Sequence, residues 1–267
     1  MQFHCNKAGF EQGTAMVDYS RFGAIIIGDE ILSGKRQDKH LPNLIEQLDK
    51  RGLELAWVRL VGDDADLLRQ TLRETFAGSV PAFSFGGIGA TPDDRTRQCA
   101  AEAAGVELAF HQEGLAELDA QFGAEVTPQR RRLVEFPVGA ELIPNPVNRV
   151  PGFSFRQHHF VPGFPSMAWP MIEWVLDQKY ARHHAPGGRV ERMITLFDAR
   201  ESQIIPLMED FVARYPALRM SCLPHADASR FQLELGLRGE PRLVAEALAA
   251  LTKSVERLGF QWQPVEA

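Results

Sequence analysis

The residues best equipped for chemistry lie in one run, Phe85-Gly86-Gly87-Ile88-Gly89-Ala90-Thr91-Pro92-Asp93-Asp94-Arg95-Thr96. Closely spaced glycines let a backbone approach a ligand and take the positive φ angles that other residues avoid. Amides exposed in such a turn, next to a helix N-terminus, attract phosphate or another anion. Asp93 and Asp94 repel a bare phosphate, so they fit best as holders of a hard cation such as Mg2+ shared with it. The plain alternative is a tight turn capped by Asp or Thr with no ligand. The density of the combination favours the ligand.

Such a loop needs a strand before it and a helix after it. Residues 80–85 form an apolar run that predicts a short buried strand, and residues 97–105 suit a helix. The same alternation precedes them. Residues 23–28, with Ala24, Ile25, Ile26 and Ile27, predict a central parallel strand buried on both faces. Asp38 is placed to cap a helix carrying Leu41, Leu44, Ile45 and Leu48, and Gly52 to end it. Residues 53–61 predict a second strand, and Leu67, Leu68, Leu72 and Phe76 a second helix. Strands and helices alternating over short connections predict a doubly wound, mostly parallel sheet. Ligands of such sheets sit beyond the carboxyl ends of the strands. Gly28-Asp29-Glu30, Gly62-Asp63 and residues 86–94 each follow a predicted strand end. One Asp after a strand is ordinarily a turn former or cap; three loops at one edge argue for a site.

Composition narrows the function classes. A formal net charge of -6 argues against a general nucleic-acid binder. Cys5, Cys99 and Cys222 are far apart and in no metal-ligand spacing, so free thiols in a reducing compartment are expected. The N-terminus lacks the apolar core of a signal peptide and no run is long enough to span a bilayer, so a cytoplasmic protein with no membrane partner is expected.

Residues 1–21 lack periodicity and read as a flexible extension, with Met16 an alternative start. The first domain is expected over residues 22–182, a linker around residues 181–188, and a small α+β domain over residues 189–267. Residues 113–122 predict a further helix, and Arg130-Arg131-Arg132 a solvated face. Prolines and glycines then dominate residues 137–170 and predict rigid loops. Among them residues 153–155 and 159–161 predict a hairpin, with His158 and His159 pointing to opposite faces and lying at the surface. Ser166 is placed to cap a helix whose Met167, Met171, Trp174 and Val175 stripe reads as core. Beyond the linker the order is strand, helix, strand, strand, helix, a split-βαβ pattern. His225 and Asp227 read there as turn residues.

Taken together, residues 27–34, 61–63, 86–96, Asn145-Pro146, Pro151-Gly152-Phe153 and Pro162-Gly163-Phe164-Pro165-Ser166 resemble the molybdopterin-binding superfamily, within it the competence/damage-inducible CinA-type branch. The first domain is also similar to the molybdopterin-binding-like half of eukaryotic FAD synthases. The resemblance implies a three-layer α/β domain, a homo-oligomer, and a molybdopterin or related phosphorylated ligand with Mg2+ or another divalent cation. It assigns ligand binding to Gly28, Asp29, Glu30, Gly86, Gly87, Gly89, Thr91, Pro151, Gly152 and Ser166. It assigns catalytic roles to Asp63 and Asp94, with Asp93 and Asp94 on the metal. The chain departs from the branch at Ala90, where proline is usual, and at His40 and Met167, where asparagine and glutamate are expected. It ends near residue 267, so the fused nicotinamide-nucleotide deamidase domain, and with it deamidation, is not expected.

Three functions follow from these residues: a binding module for a phosphorylated pterin or nucleotide, a metal-dependent pyrophosphohydrolase of ADP-ribose or FAD, or an interaction protein with a vestigial pocket. Loss of the glutamate at Met167 favours binding without robust turnover. Five carboxylates at one edge favour hydrolysis.

Overall fold

The computed structural model describes residues 19–226 and 230–265. The expected extension up to residue 18, including Cys5, and Asp227 lie outside the described residues. The chain divides into two compact units, the first ending at His184 and the second starting at Ala185.

The first unit contains, in order, β1 (Arg21–Ile27), α1 (Asp29–Leu32), α2 (His40–Lys50), β2 (Glu54–Val61), α3 (Ala65–Phe76), β3 (Ala82–Phe85), α4 (Thr96–Ala104) and β4 (Leu108–Phe110). It continues through α5 (Gln112–Phe122), α6 (Pro128–Arg131), β5 (Glu135–Pro137), β6 (Glu141–Ile143), β7 (Gly152–Phe155), β8 (His158–Val161) and α7 (Pro165–Lys179). Its main sheet has the order β2-β1-β3-β8-β7-β6, while β4 and β5 pair separately. Strands β2, β1, β3 and β8 run parallel, and β7 runs antiparallel to both β8 and β6.

Alternation along the central strands builds two cores. Phe22, Ala24 and Ile26 of β1 join Leu44 and Leu48 of α2 and Met171, Ile172 and Val175 of α7 on one face. Ile25 and Ile27 join Leu68 and Leu72 of α3, Ala100 of α4 and Leu118 of α5 on the other. The result is a three-layer α/β unit. Each fully buried aliphatic side chain contributes roughly 1.5–3 kcal/mol, so both helical layers hold the sheet.

Asp38 caps α2 by accepting from the amides of His40 and Leu41 at 3.0 and 2.9 Å. Tyr19 stacks near Tyr180 and His183, so the chain is tied to this unit before β1 begins. The β7–β8 hairpin turns through Arg156 and Gln157 with φ of 47° and 61°, the two positive angles of a type I′ turn. Register there pairs Phe153 with Phe160 and Phe155 with His158.

Two expectations in this unit need correction. His158 and His159 do face opposite ways but are not at the surface: they are 1% and 2% exposed. The ring of His159 hydrogen-bonds Ser154 Oγ at 2.8 Å and Tyr180 Oη at 2.7 Å. His158 packs edge-on against Phe76, with ring centres 4.7 Å apart. Cover from α7 and α3, not strand periodicity, decides their burial. Nor does Ser166 cap α7; Phe164 takes the N-cap position and no side chain accepts there.

The second unit contains β9 (Val190–Phe197), α8 (Glu201–Arg214), β10 (Arg219–Ala226), β11 (Phe231–Gly239), α9 (Pro241–Arg257) and β12 (Gln261–Pro264). Its antiparallel sheet has the order β10-β11-β9-β12, the split-βαβ arrangement completed by a fourth strand. Leu233, Leu235 and Leu237 of β11 form the inward face, packed with Ile204 and Phe211 of α8 and Val244, Ala247 and Leu251 of α9.

Candidate functional site

The parallel strands β1, β2, β3 and β8 end at one edge of the first sheet, so the segments that follow them converge there. After β1 the chain turns through Gly28, whose amide donates to Val61 O at 3.0 Å, and enters α1 at Asp29 and Glu30. After β2 come Gly62 and Asp63. The two acids clasp each other's backbone: Asp29 N donates to Asp63 Oδ2 at 3.0 Å, and Asp63 N donates to Asp29 Oδ1 at 3.2 Å. Among the described residues, each carboxylate thus keeps one oxygen without a hydrogen-bond donor. Burial raises the pKa of Asp63, and the charges of Asp29, Glu30 and Asp93 raise it further, while the Asp29 amide opposes the shift. Three loops therefore share one negative field.

After β3 the chain enters the glycine-rich loop. Gly86 and Gly87 have φ of 98° and 67°, and a Cβ on Gly86 would stand 2.8 Å from Ile27 O. Gly86 N donates to Val161 O at 3.0 Å and ties the loop to the end of β8. Thr96, fully buried at the start of α4, closes the loop: its Oγ1 donates to Gly86 O at 3.1 Å and its amide to Gly87 O at 2.9 Å. Asp94 accepts from the Thr91 amide at 3.1 Å and from the Thr91 hydroxyl, and its carboxylate lies against Gly89. The Thr91 hydroxyl and Asp93's own amide also hold the exposed Asp93 carboxyl below its ordinary value. The amides of Gly87, Ile88, Gly89 and Ala90 have no acceptor among the described residues.

A cavity of about 240 Å3 opens beside this loop, lined by Gly87, Gly89, Asp94, Asn145, Pro151 and Met167, with Gly163 at its margin. Asn145 Nδ2 donates to Asn148 Oδ1 at 2.7 Å and to Val150 O at 3.0 Å. Asn148 Nδ2 lies 3.2 Å from Met167 Sδ. The thioether carries no charge, so this wall is apolar where a glutamate is expected.

On the far side of Gly163 lies a second cavity, about 470 Å3, walled by Ile27, Ile31, Phe85 and His40. His40 is buried, its ring 4.6 Å from that of Phe85. Its Nε2 donates to Gly163 O at 3.1 Å. Burial lowers its pKa, so Nδ1 is a lone pair, buried without a donor.

Gly28, Asp29, Glu30, Asp63, Gly86, Gly87, Gly89, Thr91, Asp93, Asp94 and Pro151 all stand at this edge, although Gly28, Asp29, Asp63, Gly86, Thr91 and Asp93 line neither cavity. Gly152 and Ser166 reach the edge but have other surroundings. Gly152 is buried, and a Cβ there would meet Phe160 O and the Met171 methyl, so its role is close packing. Ser166 is exposed in the first turn of α7 and lines neither cavity.

Sequence reasoning passed over Arg97, which is 2% exposed. It donates to Gly89 O at 2.6 Å, to Glu135 O at 3.3 Å and to Arg132 O. One guanidinium thereby pins the glycine loop to the β5 region. Burial weighs against its charge, and Glu135 and Asp94 offset part of that cost. Nothing local in the run Asp93-Asp94-Arg95-Thr96-Arg97 separates it from Arg95, because its acceptors come from distant segments.

Among the described residues, no three His, Cys, Asp or Glu side chains form a group able to hold a metal by themselves. Mg2+ commonly binds one or two carboxylates plus substrate phosphates. Asp29 and Asp63 are two carboxylates, too few to make a protein-only cage. No described helix is long and apolar enough to cross a membrane.

Residues 23–182 match the family described as "Probable molybdopterin binding domain". The chain is 35% identical over 198 residues to a CinA-like protein of Citrifermentans bemidjiense, covering 71% of this chain and 47% of that protein. It is 31% identical over 242 residues to a CinA-like protein of Escherichia coli, covering 88% and 59%. The chain spans about half the length of the curated relatives it matches. Among solved structures, the protein CinA with unknown function from Thermoplasma acidophilum superposes with a TM-score of 0.53 at 26% identity, over 58% of this chain and 96% of that one. The chain belongs to the molybdopterin-binding-domain family.

Proposed function

We propose that this member of the molybdopterin-binding-domain family binds a phosphorylated ligand of pterin or nucleotide type at the carboxyl edge of its parallel sheet. The observation that carries the reading is the run of four amides, Gly87, Ile88, Gly89 and Ala90, without acceptors among the described residues and beside a cavity. Backbone donors in that arrangement satisfy phosphate oxygens without a basic side chain. Asp94 lies against the same loop, so a phosphate there needs a cation for balance. Asp29, Asp63 and Asp93 are the acids that would share it with the ligand, and a divalent ion would supply charge neutralisation and a bound water. The uncharged Met167 wall favours binding over turnover. Calorimetric titration with AMP, ADP-ribose, FAD and a pterin phosphate, each with and without Mg2+, tests the reading. Binding of at least one compound, weakened when Mg2+ is omitted, is expected; binding of none rejects it.

A second reading, hydrolysis of a dinucleotide pyrophosphate, rests on Asp63. In this reading Asp29 and Asp93 alone share the cation, and Asp63, which keeps an oxygen beyond the Asp29 amide and whose pKa is raised by burial and by its acidic neighbours, is the base. In that reaction Asp63 takes a proton from water as the water oxygen bonds to phosphorus and the P–O–P bridge breaks. One phosphate ester leaves as AMP and the other carries the second half of the substrate. Incubation with ADP-ribose or FAD and Mg2+ or Co2+ decides it: AMP release supports hydrolysis, and intact substrate at saturating binding leaves the binding module.

A further inference from the structure

The cavity beside the glycine loop holds only about 240 Å3, less than the roughly 300–1,000 Å3 typical of small-molecule sites. A phosphate with a full nucleoside or pterin must extend out of it. Three cavities adjoin. One lies under the outer side of residues 90–95, between α3 and α4; it is mainly polar, and its Arg69 is already paired with Asp66 and Glu102. Another, toward Glu113 and Glu117, has its Arg149 paired with Glu117. The third is the 470 Å3 cavity across Gly163. It lies directly beyond the ends of β1 and β3, where doubly wound sheets take their ligands.

Its apolar wall and its place beyond β1 and β3 distinguish this third cavity, since the α3–α4 cavity also has two arginines, Arg95 and Arg132, without carboxylate partners among the described residues. Arg36 and Lys39 both line it, and neither has a carboxylate partner among the described residues. Neither of its acids, Asp38 and Glu30, forms an ion pair with them among the described residues. Asp38 has both oxygens on the amides that start α2, and Glu30 turns toward Gly28. Two uncommitted cations over a wall of Ile27, Ile31 and Phe85 fit a ring with an anionic substituent. Gly163 divides the two cavities: a Cβ on it would stand 3.5 Å from Gly86 Cα.

We propose that Arg36 and Lys39 form a second anion subsite, so that this chain selects ligands carrying a further phosphate apart from the one at the glycine loop. The proposal rests on the binding reading above and adds the class of ligand: a nucleotide-type molecule with two separated phosphate groups. The two cations act as specificity determinants, and the glycine loop supplies the common contact.

Matched pairs differing by one phosphate test it: AMP against adenosine 2′,5′-bisphosphate and adenosine 3′,5′-bisphosphate, and ADP-ribose against its 2′-phosphate. Affinities are measured in the full chain at low and high salt, with melting temperatures to verify folding. At least one further-phosphorylated partner should bind about tenfold more tightly at low salt, with the ratio shrinking as salt screens exposed charges. In the R36A/K39A double variant that ratio should fall to about one, consistent with loss of the phosphate-pairing cations. Equal affinities within every pair overturn the subsite while leaving the binding reading intact. A preference that survives R36A/K39A but disappears in R95A/R132A also overturns it, since the extra phosphate then lies on the α3–α4 side. Failure of every compound to bind removes both the subsite and the reading it rests on.

Discussion

Arg97 and Asp63 belong to the same rim but to opposite surroundings. Arg97 is buried and bonded to the carbonyls of Gly89, Arg132 and Glu135. Asp63 is half-buried, shares its field with three other carboxylates, and keeps an oxygen free. The same contrast separates Thr96 beneath the edge, and His158 and His159 toward the far end of the sheet, from Asp29, Glu30 and Asp93 at the edge. Arg97, Thr96 and His159 are buried and hydrogen-bonded within the fold, whereas the acids are held close together against their own repulsion. The proposed ligand chemistry thus falls on residues other than those that hold the fold, and each variant below tests that separation.

The largest effect is expected at Arg97. Arg97→Ala leaves three carbonyls without their donor and a void beneath the loop, costing about 3–5 kcal/mol, and ligand binding should be lost with it. Denaturant midpoints measure the cost. Arg97→Lys keeps the charge without the planar fork and should recover only part of it. Wild-type stability in Arg97→Ala would merge the two classes.

Next comes acid. Burial lowers the pKa of His158 to about 4 and that of His159 well below its ordinary 6.5. The unfolded chain then binds more protons than the folded one between pH 6.5 and about 4, so stability falls as pH drops through that window. For His158 the loss is roughly 3 kcal/mol at 1.36 kcal/mol per pH unit. Unfolding midpoints at pH 7 and 4.5 should differ accordingly, and the difference should shrink in His158→Gln. A flat profile would mean that these rings are not buried neutral.

Gly87→Ala is intermediate. It places a Cβ at a φ of 67° and onto Thr96 Oγ1, costing about 1–3 kcal/mol. Affinity for phosphate compounds should fall more steeply than stability does, because the loop amides are displaced. Equal losses in both would make the loop a structural turn.

Asp63→Asn should move stability least. The raised pKa means that the fold disfavours the ionised acid, so above the titration window the charge is a cost that decreases as pH falls. Asn keeps an oxygen for the Asp29 amide and removes that charge. With screening by solvent the gain is at most a few tenths of a kcal/mol, while Mg2+-dependent binding should weaken at least about tenfold. A clear drop in melting temperature would place Asp63 with the structural groups instead.

How much of this was legible in the sequence depends on whether the deciding neighbours are local. The apolar run ending at Ile27 and the turn signals at Gly28, Gly62 and Gly86 are local, and they gave the doubly wound sheet and its loaded edge. The strands Leu108–Phe110, Glu135–Pro137 and Glu141–Ile143 are too short for any periodicity to register. Gln261–Pro264 was missed for the same reason. His158 and His159 were assigned opposite faces because strands have a period of two, but α3 and α7 supply the cover that buries them. Asp29 and Asp63 are 34 positions apart, and although their loops were expected at one edge, no spacing rule announces that each accepts the other's amide. Arg97 was hidden most completely, because an arginine in a charged run reads as surface until its distant carbonyl acceptors are known.

The two-residue turn at Arg156 and Gln157 has a consequence at the opposite pole of the sheet. The hairpin it closes delivers Pro151 at the start of one strand and Pro162-Gly163 at the end of the next. Both deliveries keep step only while the turn stays two residues long. An inserted residue there would slip the pairing by one, exchange inward and outward side chains, and carry Gly163 away from Gly86. The carboxyl edge of the sheet is thus sensitive to length variation at a bend that never touches it.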